Sequence, residues 1–137
     1  IRGFFVSYLT RDNETAADLK EVPKPLLQAM DSVDKKELIP LACMNVIMPT
    51  AMMTMHTDED MSKSAAKTAL RGKVVAKALM NEVEMQEQCL AIIAAATEMT
   101  EGAREEDIKF WTEFYLKWGY DSTQKQDIKI AFESMLL

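Results

Sequence analysis

One histidine, His56, stands in a pattern that could do chemistry: His56-x-Asp58-x-Asp60 offers an imidazole and two carboxylates within five residues. Metal chemistry would need three or more such ligands to converge, usually from different elements. The same acids have a simpler use. Thr57 stands three residues before Asp60, and Asp58, Glu59 and Asp60 fall where a helix N-terminus is electropositive. The reading is therefore a helix start and no metal site. Any histidine-dependent nucleophilic catalysis would run through His56 alone. No G-x-S-x-G, C-x-x-C or glycine-rich phosphate loop accompanies it. The remaining acids read as solvated helix faces, so no catalytic residue is assigned and the chain is read as a non-enzyme. The reading kept against this one is a soluble small-ligand-binding protein or enzyme using His56 with nearby carboxylates.

The two cysteines, Cys43 and Cys89, are far apart in apolar surroundings and fit no zinc or redox spacing. They are expected to be buried free thiols, with a single disulfide as the other option. A net charge of −6, from 16 basic and 22 acidic residues, excludes a general nucleic-acid-binding role. The charges are nevertheless segregated. Basic residues recur at 63, 67, 71, 73 and 77 with no acid between Asp60 and Glu82. Lys63, Lys67 and Arg71, spaced i, i+4, i+8, are a candidate docking face for an acidic partner or anionic headgroups, against a plain solvated face.

Aromatic residues crowd two places: Phe4, Phe5 and Tyr8 near the start, and Phe110, Trp111, Phe114, Tyr115 and Trp118 in one short stretch. Two adjacent stripes on one helix exceed what a single buried face needs. Phe4, Phe5, Trp111, Phe114 and Trp118 are therefore candidate partner contacts.

The elements that would position these residues are helical. Glycine and proline together number only eight in 137 residues, too few for a turn-rich β-sandwich or a disordered linker. The length is that of one domain, 1–137, long enough to bury a core without staples. Residues 4–9 are expected to form a short helix, and Pro23 and Pro25 to open another with Leu26, Leu27 and Met30 inward. Ser32 or Asp34 would cap the next. From Leu38 to Met55 no charge occurs, which makes this the central, Met-rich, buried helix, kinked or broken before Pro49. Met44, Met48, Met52, Met53 and Met55 are expected to fill its irregular contacts. Its length is at the lower edge for a membrane span, but Pro40, Pro49 and Asn45 interrupt it. Beyond Asp60, the run of signs suggests two helices joined near Asn81, with one continuous helix as the alternative; the second half carries Met85, Cys89, Ile92 or Ile93, Ala96 and Met99 at helical spacing, with Gly102 as its C′ residue. A helix follows over 103–118, with Ile108, Trp111, Tyr115 and Trp118 on one stripe and Gly119 as its stop. Asp121 and Gln124 make a capping pair for the last helix, whose inner face carries Ile128, Ala131, Phe132 and Met135. The fold class is all-α: a compact bundle of about six or seven helices around a Met-rich central helix.

Three segments carry a resemblance: Arg2-Gly3-Phe4-Phe5-Val6-Ser7-Tyr8-Leu9-Thr10, Pro49-Thr50-Ala51-Met52-Met53-Thr54-Met55-His56 and Phe114-Tyr115-Leu116-Lys117-Trp118-Gly119-Tyr120-Asp121. Together they resemble a family of small uncharacterised proteins of cyanobacteria and plastids, similar in kind to helical accessory subunits between a photosystem and its antenna in algae. The resemblance implies a plastid, thylakoid-associated location and protein partners among photosystem core or antenna subunits. Chlorophyll is a candidate cofactor on a separate ground. A neutral imidazole is a common axial ligand to chlorophyll magnesium, which makes His56 the candidate pigment ligand, with the side-chain oxygens of Asn45 and Gln86 as substitutes. No signal peptide is legible, and a removed targeting peptide would leave no trace. Without the plastid setting, the expectation is an intracellular soluble protein.

Overall fold

The computed structural model of the protein describes residues 24–55 and 58–136. Six helices make up its regular structure there: α1 (Lys24–Asp31), α2 (Lys35–Met55), α3 (Glu59–Lys77), α4 (Val83–Ala96), α5 (Glu105–Trp118) and α6 (Ser122–Leu136). The all-α bundle expected from the sequence is what forms. The helix expected over 4–9 lies outside the described residues.

Asp34 opens α2. Its carboxylate accepts the Lys36 N–H at 2.9 Å and its carbonyl accepts those of Glu37 and Leu38 at 3.0 Å. The helix then runs unbroken through Pro40 and Pro49 to Met55, so of the kink or break expected before Pro49 the break does not form. Each proline lacks an N–H, so the carbonyls of Lys36 and Asn45 lose their helical donor. Packing on several sides holds the helix together despite this loss. α2 lies along α3 and also touches α4 and α6, and Leu38, Ile39, Val46 and Ile47 are sealed in the core. By length and composition α2 could cross a membrane, yet half of its most apolar window is buried against its neighbours.

The close approach of α2 and α3 depends on one glycine. A Cβ at Gly72 would stand 2.5 Å from the Asn45 carbonyl oxygen, the oxygen that Pro49 leaves without a helical donor. Only hydrogen fits there. The cap of α3 is Asp58, whose carboxylate accepts the Asp60 and Met61 N–H groups at 2.8 and 3.3 Å. The expected Thr57 cap is thus displaced by one residue, and Thr57 itself lies outside the described residues. The joint between α3 and α4 falls at 78–82, around Asn81 as expected, without glycine or proline. Gln86 tethers it by donating to the Met80 carbonyl at 2.7 Å.

α5 runs alongside α4 in the same direction. Arg104 meets Glu84 at 2.6 Å, the Trp111 indole N–H donates to Gln88 Oε1 at 2.7 Å, and the Tyr115 hydroxyl donates to the Ile92 carbonyl at 2.9 Å. The return segment 97–104 includes two positive-φ residues, Glu98 and Gly102. Gly119, at φ 69°, stops α5, with the Tyr120 N–H on the Tyr115 carbonyl at 3.0 Å. The Asp121–Gln124 pair caps α6 as expected. Asp121 accepts from the Thr123 and Gln124 N–H groups, and Gln124 Oε1 accepts from the Asp121 N–H at 2.9 Å.

Candidate interaction surface

The basic face divides in the structure. Lys63 and Lys67 are exposed on α3, but Arg71 is 1% exposed and belongs to the interior, which corrects its expected place among docking residues. The reason is helical drift. Four residues advance about 400°, so the i, i+8 pair is rotated by roughly 80° about the axis. That rotation carries Arg71 toward neighbouring Gly72 and the α2 contact. Neither Lys67 nor Arg71 is without a partner. Lys63 pairs with Glu59 at 3.2 Å, both side chains well exposed, a contact of the kind that contributes under about 1 kcal/mol. What survives of the basic face is an exposed α3 surface whose first lysine already has a counter-ion.

The aromatic candidates divide as well. Trp111 is fully buried, with its indole N–H satisfied by Gln88, and so is not a partner contact. Trp118, on the same stripe and a candidate partner contact, is 42% exposed. The second stripe faces outward. Phe110 is 47% exposed and Phe114 half-buried. Phe110, Phe114 and Trp118 follow at i, i+4, i+8, with Phe114 and Trp118 centroids 6.3 Å apart. Phe110 and Phe114 both pack edge-on against buried Trp111, at 4.9 and 5.5 Å. Lys117 stands 5.7 Å above the Trp118 ring. The outer line is therefore fixed from beneath by a core residue, a rigid arrangement suited to contact.

Phe4, Phe5 and His56 lie outside the described residues. Among the described residues no three or more His, Cys, Asp or Glu side chains gather as a metal site would require. Asn45 donates to the Leu41 carbonyl at 2.7 Å, so its amide, like that of Gln86, is turned to the backbone. Both cysteines are buried and free. The Cys43 sulfur is 3.8 Å from that of Met85, and the Cys89 sulfur 3.8 Å from that of Met80. Burial pushes the Cys43 thiol well up and the Cys89 thiol to about 12, so both stay protonated at neutral pH and lack the thiolate a nucleophile needs.

The model of one family, described as uncharacterised conserved protein UCP020893, matches residues 1–135. The chain belongs to that family. No curated protein and no solved structure matches it. The family match takes in both the helices described above and the segments outside them.

Sequence reasoning missed one group. Met52, Met53 and Met55, expected as core filler, are exposed, as is Met61 at the start of α3. The available signal was the disappearance of aliphatic residues after Ile47 in α2. Phe110 was visible as part of a second stripe, and only packing showed how much of it faces outward.

Proposed function

We propose that this family member is a non-enzymatic helical interaction subunit, which docks through the Phe110–Phe114–Trp118 line of α5. The observation behind it is that α5 already fills its share of the core with Ile108, Trp111 and Tyr115, yet leaves Phe110 and Trp118 about half exposed. Burying a side chain of this size is worth roughly 1.5–3 kcal/mol, and contiguous exposed apolar surface marks contact sites. The more specific form of the proposal places the subunit at a photosystem–antenna assembly of the plastid thylakoid, with a chlorophyll held at the interface by His56. It rests on the resemblance in segments 2–10, 49–56 and 114–121.

The test is affinity isolation of the tagged chain from thylakoid membranes. Wild type is expected to migrate with a pigmented complex. A Phe110→Ser/Trp118→Ser variant with unchanged circular dichroism and melting is expected to be released from it. A Lys63→Glu/Lys67→Glu variant reports separately on α3. Recovery of wild type only as a pigment-free soluble monomer would overturn the proposal.

A further inference from the structure

We propose that the end of the bundle that carries the last turn of α2 and the first turn of α3 is a second docking surface, which receives a basic amphipathic helix of a partner protein. This rests on the interaction reading above and adds a place and a partner chemistry to it. Three contacts define that end. Ser62 of α3 donates to the Met53 carbonyl at 3.0 Å, Gln124 of α6 donates to the Thr54 hydroxyl at 3.2 Å, and Lys125 of α6 pairs with Glu98, just past α4, at 3.6 Å. The last turn of α2, the first turns of α3 and α6 and the exit of α4 therefore meet. The C-terminus of α5 joins them through the short Gly119–Asp121 link.

The side chains exposed at this end are apolar and adaptable: Met52, Met53, Met55, Met61, Met99 and Trp118. Methionine has three rotatable bonds and a polarisable sulfur, so clustered exposed methionines can fit an apolar helix face without a preformed groove. The charges around them select the partner. Asp58, Glu59, Asp60, Glu98 and Asp121 are exposed carboxylates at this end. The lysines among the described residues there are Lys63, Lys117 and Lys125; Lys63 pairs with Glu59 and Lys125 with Glu98, which leaves Asp58, Asp60 and Asp121 against Lys117. The local balance is acidic, like the whole chain at −6. A helix with leucine-like residues on one face and Lys or Arg flanking it complements both features. An anionic membrane surface does not, because the carboxylates would face like charge.

The experiment uses the full chain and the Trp118 fluorescence, which reports on this end while buried Trp111 supplies a constant background. The probes are a Trp-free Leu/Lys amphipathic peptide of about 18 residues, its Leu/Glu counterpart, a scrambled Leu/Lys peptide without an apolar face, and phosphatidylglycerol vesicles. The expected result is a saturable one-to-one blue shift with the Leu/Lys peptide alone. The Kd should rise about tenfold or more in Met53→Gln/Met61→Gln and in Glu59→Gln/Asp60→Asn. It should stay unchanged in Glu105→Gln/Glu106→Gln at the opposite end of α5. Equal binding of the scrambled peptide would reduce the effect to bulk charge attraction and overturn the proposal. So would a blue shift with the vesicles, or peptide-free dimerisation abolished by the methionine variants, which would make the occupant a second copy. Phe110→Ser, roughly 12 Å along α5 from Trp118, is expected to leave peptide affinity intact. If that variant still releases the partner complex while no peptide binds, the interaction reading stands and this inference falls.

Discussion

Replacing Gly72 with alanine sets two effects of opposite sign against each other. In a helix interior the change gains about 1 kcal/mol, because alanine loses less backbone entropy on folding. Here the added methyl would lie 2.5 Å from the Asn45 oxygen, 3.1 Å from its carbonyl carbon and 3.5 Å from a Val46 methyl. The closest comfortable carbon–oxygen approach is about 3.3 Å, so the methyl is short by roughly 0.8 Å. The obstructing atoms belong to the α2 backbone, which cannot rotate aside as a side-chain tip would. α2 and α3 must move apart, and they share the most extensive helix contact in the bundle. Overpacking of this kind costs about 1–3 kcal/mol, and a backbone-on-backbone clash belongs at the upper end. The steric effect wins, leaving a net loss of about 2 kcal/mol. At this chain size that lowers the melting temperature by roughly 8 °C. Differential scanning calorimetry of Gly72→Ala beside Ser64→Ala, an exposed α3 site with no such contact, separates the effects. Ser64→Ala is expected to gain a few tenths of a kcal/mol on helix propensity. A Gly72→Ala protein as stable as wild type, or more stable, would refute the close-contact argument.

Three further outcomes follow from the core and its edges. Gln88→Leu leaves the buried Trp111 indole N–H without its 2.7 Å acceptor and should cost about 1–3 kcal/mol by chemical denaturation, much of it recovered when Trp111→Phe is added. Hydrogen bonding from Arg104 is the main cause, with Gln88 assisting, that holds the Glu84 carboxyl below its ordinary range against a smaller opposing desolvation. Its folded pKa is depressed, so its stabilisation is present above the ordinary carboxylate value near about 4.3 and is lost as pH falls through the lower folded value. The melting difference between wild type and Glu84→Gln should therefore be present at pH 7, shrink on acidification and shrink with added salt. Burial raises both cysteine thiols, so their neutral forms are favoured in the fold. Native protein should resist alkylation until unfolded, and stability should decline as pH rises past the ordinary thiol value near about 8.5. Mass-spectrometric counting of carbamidomethyl groups with and without denaturant, and melting curves from pH 7 to 10, check the two parts.

What the sequence determined by itself about this protein is mostly local. The Asp121–Gln124 box and the Gly119 stop depend on a few residues and their own backbone, so type and spacing sufficed, while the α2 cap was narrowed to Ser32 or Asp34 and the structure chose Asp34. The joint near Asn81 was legible for the same reason, since charges of opposite sign favour opposite helix ends. The outcomes that only tertiary structure decided concern where a neighbouring surface begins and ends. Lys63 and Arg71 look equivalent on a helical ladder, but a drift of roughly 80° accumulated over eight residues puts one in water and the other in the core. Trp111 and Trp118 share a stripe, yet one is fully buried and the other 42% exposed. Pro49 reads as a kink or a break because helix rules are written for isolated chains. Contacts with three other helices keep α2 continuous, and Gly72 takes the place beside the carbonyl that proline leaves open. The exposed methionines of α2 are the same case: apolar composition says that they can be buried, and only the extent of the facing helices decides which of them are.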